Sequence, residues 1–455
     1  MCSSDLSQPM WRLLYNILLV LVSPLVVAVL LAKQRCRRGF PARMGFRVRP
    51  VADPSGARRP LIWIHAVSLG EVVAVTPLVK ELHRLHPDHR LLVSTVTETG
   101  REAVEQRLAG IAEHRYAPLD FPWAVARAIE CWQPALYVFV ETELWPNLLW
   151  CLRDRGIPAV LVNGRLSSRS FARQHVTGLT SFYRSVLQSL TLCLMQSDRD
   201  VQRIVALGAD PARVKRTGNI KFDQPMPAAP ADASFRASLG VGKQDRLVLA
   251  GSTHAGEETL IVEAYRHIVL QHPSAVLMLA PRHIERAEEV VAMITAAGLP
   301  VQRKSRLNAV GSGPRVILLD TRGELARAYH EAAAAFVGGT LVPVGGHNLL
   351  EPAGWGTPVL FGPYTDHCAE IAALLLESGG AVRVADAGDV ARTICGWLDD
   401  PTTGRRVGEA ARRTVVDNQG ALQRSVDLIE ACIPQAPSPS SRSAGSAPQP
   451  VIARP

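Results

Sequence analysis

Leu61 to Glu71 reads LIWIHAVSLGE. Its opening, Leu61 to Val67, is an apolar run with β-branched and aromatic members, which predicts a buried strand. Ser68-Leu69-Gly70 ends the run, and a glycine there permits a tight turn or the close approach of another molecule. Glu71 then opens a helical pattern through Val75, Leu78, Val79 and Leu82. Strand, turn and helix together present a carboxylate at the carboxyl end of a strand, where open α/β sheets hold ligands. Taken alone, an acidic residue complementing a helix dipole is the better reading, because short motifs often match by accident. The rest of the chain shifts that balance.

Working outward, the same alternation repeats. Between residue 60 and about 221, further strands are expected at Leu91–Val96, Leu136–Val140, Ala159–Val162 and Leu190–Gln196, with helical spacing at Arg101–Leu108 and Asp198–Leu207. The stretch QPMPAAPADA, residues 224–233, loses the pattern and reads as a linker. A second series follows, with strands expected at Leu247–Ala250, Val276–Ala280, Val316–Leu319, Ala334–Val337 and Pro358–Phe361. Such alternation predicts doubly wound, mainly parallel sheets in two similar lobes, with a ligand cleft between them. The expected division is an anchor over 1–35, a first lobe over 36–223, a linker over 224–240, a second lobe over 241–432 and a disordered Pro/Ser-rich tail over 433–455.

The totals narrow the class. At 455 residues the chain has room for about two or three domains. Its formal charge is +9, but +8 of that lies between residues 33 and 59, where nine Lys and Arg oppose only Asp53. No zinc-finger or RNP-like signature accompanies the charge, so a nucleic-acid partner is not expected. The basic segment follows Leu13–Ala32, an apolar stretch long enough as a helix for the ~30 Å hydrocarbon core. Charge after rather than before the apolar segment argues for an uncleaved anchor with the basic side in the cytoplasm, facing membrane phospholipid. The eight cysteines lack paired spacing and read as reduced thiols. His83, His86 and His89 surround Pro87 at a helix end, which does not offer one ligating face.

Several further motifs sit just beyond expected strands. ETELWPN (Glu141–Asn147) places Glu141 and Glu143 on one side of an extended segment, NGRLSSRS (Asn163–Ser170) offers Arg165 and Arg169, and GNIKFD (Gly218–Asp223) adds Lys221 near the linker. In the second lobe GSTH (Gly251–His254), PRH (Pro281–His283) and DTRGEL (Asp320–Leu325) hold the same position. VGGTLVPVGGHNLLEP (Val337–Pro352) is the strongest signal: paired glycines admit a ligand to the backbone, and Asn348 and Glu351 stand on the next helix's opening turn. Each piece has a plain explanation as a solvated turn; their shared placement at strand ends in both lobes does not. No phosphate-loop or GxGxxG signature is present. Asp198-Arg199-Asp200 has metal-like DxD spacing but follows Ser197 at a helix start, where capping explains it better.

These motifs, in this order, resemble the Kdo (3-deoxy-D-manno-octulosonic acid) transferases of lipopolysaccharide synthesis. The resemblance implies a GT-B architecture of two Rossmann-like lobes and transfer of Kdo from CMP-Kdo to the lipid A precursor (lipid IVA) at the cytoplasmic face of the inner membrane. It implies that Glu71 is the general base and that Glu141 and Lys221 stabilise the transition state. CMP contacts would fall on Pro281 and Arg282, on Arg322, Gly323 and Glu324, and on Asn348, Leu349, Leu350 and Glu351. Two departures from the family pattern stand out: Arg322 replaces a usual methionine, and Asp366-His367-Cys368 follows GPYT where Asn-Phe is more usual. Neither a cofactor nor a metal is expected, because CMP leaves as a monophosphate, and one base with direct attack would invert configuration. The competing readings are another GT-B enzyme using a UDP-sugar, transferase or epimerase, and a catalytically silent membrane-tethered binding protein.

Overall fold

In the computed structural model the described residues are 7–32, 39–53, 59–141, 143–176, 179–224, 234–307 and 316–434. The chain divides into two units, residues 1–223 with 420–455, and residues 224–419.

The first unit is built on β1 (Leu61–His65), β2 (Arg90–Thr95), β3 (Glu113–Tyr116), β4 (Pro134–Val140), β5 (Ala159–Gly164), β6 (Leu192–Met195) and β7 (Val214–Arg216). All pair in parallel, in the order β3-β2-β1-β4-β5-β6-β7. Every residue of β1 is buried, as a parallel strand covered by helices on both faces must be. Alternation sends Leu61 and Trp63 into one core with Tyr137 and Phe139, and Ile62 and Ile64 into the other with Val138 and Val140. Trp63 is fixed edge-on between Trp132 and Tyr137, with ring centroids 4.9 and 4.6 Å away.

The second unit repeats the plan with β8 (Arg246–Thr253), β9 (Ala275–Pro281), β10 (Val301–Arg303), β11 (Val316–Leu318), β12 (Ala334–Val337), β13 (Val359–Phe361) and β14 (Ala381–Arg383). Its order is β10-β11-β9-β8-β12-β13-β14, again parallel. The direction of winding reverses between β1 and β4 in one sheet and between β8 and β12 in the other. Those reversals open the crevice in which doubly wound sheets bind ligands.

Two expected boundaries shift. The helix Ala421–Glu430 belongs to the first unit rather than ending the second lobe: Ala421, Val426 and Ile429 are buried in the core that contains Ile62 and Ile64. Asp223 fixes its start by accepting from the amides of Gly420 at 2.6 Å and Leu422 at 2.7 Å. The expected linker over 224–240 also loses its end, since Ser234–Ser238 is helical and Phe235 and Leu239 pack into the core of the second unit. The tail from residue 435 lies outside the described residues.

The helix Ser7–Ala32 lies along the first unit. Tyr15 donates to Asp120 at 2.8 Å, Asn16 to Asn147 at 3.2 Å, and Arg12 pairs with Asp154 at 2.7 Å. Trp11 and Tyr15 both meet the ring of Phe182. The opposite face carries exposed Met10, Leu13, Leu14, Ile17, Leu18 and Leu21. Among the described residues no helix is long and apolar enough to cross a membrane, so the span expected over Leu13–Ala32 is not shown.

Candidate functional site

In the first unit the ends of β1, β4, β5, β6 and β7 bring together residues that lie far apart in the chain. Glu71 stands in the first turn of the helix Leu69–Leu85, directly after β1. Its Oε2 accepts from the Val67 amide at 2.8 Å and its Oε1 from the Ser68 hydroxyl at 3.2 Å. Burial pushes the carboxyl up to about 7; the Val67 hydrogen bond opposes the rise, while the charges of Glu141 and Glu143 reinforce it. A carboxyl poised near neutrality is suited to taking a proton from a hydroxyl.

Glu141 closes β4 in a left-handed conformation, φ 60°, which costs a non-glycine residue energy and turns the chain sharply at the strand's end. Lys221 Nζ lies 3.0 Å from Glu141 Oε1, across 80 positions of sequence. The lysine is held by a relay of amides: its own N–H reaches Asn219 Oδ1 at 3.0 Å, Asn219 Nδ2 reaches Gln196 Oε1 at 3.1 Å, and Gln196 Nε2 reaches the Asn163 carbonyl at 3.0 Å. Asn163 Oδ1 also accepts from the Ile220 amide at 3.1 Å, and Asn163 itself sits at φ 56°. All three amide side chains are buried. Glu141 and Lys221 are therefore paired, with Glu71 in electrostatic reach of Glu141, and Asn163, Gln196 and Asn219 are supporting residues that the sequence motifs did not assign. Their signal was present: Asn163 is in the last two residues of β5, Gln196 directly follows β6, and Asn219 stands in the loop after β7.

In the second unit Pro281 ends β9 and is buried, with Arg282 exposed immediately after it. Asn348 Nδ2 donates to Glu351 Oε1 at 3.2 Å and Asn348 Oδ1 accepts from the Leu350 amide at 3.1 Å, which ties the glycine turn to the next helix. Burial raises the Glu351 carboxyl, opposed by Asn348 and by the charge of Arg282. Leu349 and Leu350 are buried, so their side chains serve packing. Arg322 and Gly323 are exposed; Arg322 reaches Glu285 at 3.4 Å, and Glu324 accepts from Thr321. The turn is locked to β8 by sterics: a Cβ on Gly338 would lie 2.4 Å from the Ser252 carbonyl oxygen.

Other expectations resolve locally. Ser197 caps the helix Asp198–Ala206 and Asp200 accepts from the Leu166 amide at 2.8 Å, so the DxD spacing is explained by capping. His86 is the C-cap of the helix Leu69–Leu85, the helix end anticipated for the three spaced histidines. Among the described residues no cluster of three or more His, Cys, Asp or Glu could hold a metal ion.

Comparison with known proteins adds the chemistry's context. A family profile described as 3-deoxy-D-manno-octulosonic-acid transferase (kdotransferase) matches residues 38–224. A 3-deoxy-D-manno-octulosonic acid transferase of Haemophilus influenzae is 34% identical over 430 residues, covering 92% of this chain and 98% of the relative. Another, of Bordetella pertussis, is 34% identical over 396 residues, with 83% and 89% covered. The solved UDP-GlcNAc 2-epimerase of Neisseria meningitidis, bound to UDP-GlcNAc, superposes with a TM-score of 0.57 at 10% identity, covering 82% of this chain and 100% of that one. That likeness shows a shared fold alone. A half-buried carboxyl near neutrality beside a lysine–glutamate pair, on a chain related along nearly its whole length to these transferases, leads to one assignment: the protein belongs to the Kdo transferase family, and it is a glycosyltransferase.

Proposed function

We propose that the protein transfers Kdo from CMP-Kdo to the glucosamine disaccharide of the lipid A precursor, lipid IVA, in lipopolysaccharide synthesis. The observation that carries this reading is Glu71, whose carboxyl is held near neutrality at the switch point of the first sheet. In the reaction Glu71 takes the proton of an acceptor hydroxyl while that oxygen bonds to the anomeric carbon of Kdo. The bond from that carbon to the phosphate oxygen breaks, CMP departs with the electron pair, and the configuration inverts. Lys221, oriented by Glu141 and Asn219, supplies positive charge where negative charge develops. Arg282, Asn348 and Glu351 hold the nucleotide. No resident metal or cofactor takes part in this scheme. Mass spectrometry of lipid IVA incubated with the protein and CMP-Kdo tests it: an added Kdo mass supports the reading and counts the sugars. An unchanged mass with folded protein in lipid sinks it.

Lys221→Met is expected to lower turnover by about 10²–10³-fold, the usual effect of removing one preorganised charge-stabilising donor, with CMP affinity unchanged. Steady-state kinetics beside CMP calorimetry would check the split; a change confined to KM would remove Lys221 from the chemical step.

The same reading places the chain at the cytoplasmic face of the inner membrane, facing phospholipid. The exposed apolar face of the helix Ser7–Ala32 and the basic segment after it support attachment, apolar side chains entering the bilayer boundary and Lys and Arg meeting anionic headgroups. Replacing Leu14, Leu18 and Leu21 by glutamine should weaken co-sedimentation with phosphatidylglycerol vesicles at least about a hundredfold, given ~1.5–3 kcal/mol for each leucine buried. Undiminished sedimentation would exclude this face as the attachment.

A further inference from the structure

Four histidines of the second unit are not used by the scheme above. His254 follows β8, His283 follows β9, His347 lies in the glycine turn after β12, and His367 follows β13. These strands are neighbours, in the order β9-β8-β12-β13, so four adjacent strand ends each deliver an imidazole. His254 Nε2 and His347 Nε2 are 2.8 Å apart, with ring centroids at 5.0 Å and planes at 3°. Parallel rings whose nitrogens come this close cannot lie face over face at van der Waals thickness. They meet edge to edge in an N–H···N hydrogen bond. His283 stands against His254 at 5.7 Å. Gly339, at φ 71°, leaves the room His347 occupies: a Cβ there would be 3.0 Å from the imidazole.

The hydrogen bond holds one proton between the two Nε2 atoms. A second proton there would set two N–H groups against each other and open the pair. The surroundings are cationic. His254 faces His283 and Arg282 with Glu257 and Glu258 nearby, and His347 faces His254, Arg282, His367 and His283. The carboxylates in reach are committed elsewhere. Glu257 accepts from the amides of His254, Gly339, Thr340 and Leu341 at 2.7–2.9 Å, and Glu258 pairs with Arg286 at 2.8 Å. The hydroxyl of Thr253, wholly buried next to His254, has no hydrogen-bond partner among the described residues. The cluster is thus short of an anion.

We propose that His254 and His347 form a proton-gated clasp for the phosphate of the donor nucleotide: the anion opens the edge-to-edge pair, which takes up one proton as both rings turn their N–H groups onto it. This rests on the nucleotide-donor reading and goes beyond it, since it assigns the phosphate contact and a proton stoichiometry. Burial lowers both rings in the free protein, His347 to about 4, so the empty pair is neutral near pH 7. A bound phosphate raises them. Affinity is therefore greatest at the acid end and falls as pH rises from the free-state towards the bound-state value, by about tenfold per pH unit for one linked proton, and levels above it.

The test is calorimetry of CMP binding to the full chain between about pH 7 and 8.5, above the phosphate's own second ionisation near pH 6. Buffers of low and high ionisation enthalpy give the proton count, with cytidine as the phosphate-free control. The wild-type protein is expected to take up about one proton per CMP and none with cytidine. Its Kd is expected to rise several-fold to about tenfold per pH unit. His254→Asn and His347→Asn, melting like wild type, should lose the uptake and bind CMP about tenfold more weakly. CMP binding without proton uptake by the wild type overturns the clasp and leaves the donor reading standing, as does uptake that persists in both variants. The wild-type count and the pH slope decide the matter even if a variant does not fold. No CMP binding at any pH overturns the donor reading and the clasp together.

Discussion

Glu71→Gln is expected to cut turnover by about 10²–10⁴-fold, the range general-base catalysis contributes, while leaving the fold and CMP affinity intact. The amide preserves size and still accepts from the Val67 amide, so the loss isolates proton transfer from packing. The wild-type rate should follow the ionised fraction of the carboxyl. With that group pushed up to about 7, activity rises about tenfold per pH unit below it and levels above it. Stability moves the other way. A carboxyl whose folded value is raised binds its proton more tightly in the native state than in the unfolded chain. Native stability is therefore full below the unfolded value and is lost as pH climbs towards 7. Glutamine has no charge to bury, so the variant should melt at the same temperature as wild type or higher at pH 8. A variant that keeps near-normal turnover, or a wild-type profile flat from pH 5 to about 8, would remove Glu71 from the role of base.

The second large effect is structural. Glu257→Ala is expected to destabilise the second unit by roughly 3–5 kcal/mol, as expected when one partner of a buried charged network is removed. Glu257 is fully buried, and its two oxygens accept from four amides, those of His254, Gly339, Thr340 and Leu341. It thereby ties the loop after β8 to the glycine turn after β12, across the switch point of the sheet. Alanine leaves the N–H groups of Gly339 and Thr340 buried without acceptors and those of His254 and Leu341 half-buried without them, and each buried orphan costs energy comparable to a lost hydrogen bond. Chemical denaturation read by a probe in the second unit should show the loss, with CMP binding weakened because Asn348 and His347 lie on the same turn. A shift under about 1 kcal/mol would mean that the turn is held by packing at Gly338 and not by the carboxylate.

The strands missed in the sequence share one property. β3, β7, β10 and β14 are the four sheet edges. EHRY in β3 has no fully buried residue, and VKR in β7 buries only its valine. An edge strand is half solvated and carries little of the apolar run by which the central strands announce themselves. The misplaced end of the second lobe has a related cause. Amphipathic spacing in the helix Ala421–Glu430 reveals that one face is buried but not against what, and only the folded chain shows that Asp223 caps it and that the first unit receives it. The linker ended early because Phe235 and Leu239 lie among prolines and alanines, too few to form a pattern, yet fill a pocket in the core.

The sequence by itself determined the two alternating series, the central strands, and the placement of the candidate residues Glu71, Glu141, Lys221, Arg282, Asn348 and Glu351 beyond their carboxyl ends. Periodicity and turn chemistry are local, so they can be read from neighbours along the chain. The tertiary structure alone decided what those residues can do. The lifted carboxyl of Glu71 comes from burial, and the Glu141–Lys221 pair spans 80 positions. The four amides around Glu257 and the joined rings of His254 and His347 likewise arise where distant strand ends meet. Burial and partnership are sums over contacts between remote segments, and folding is what brings those segments together.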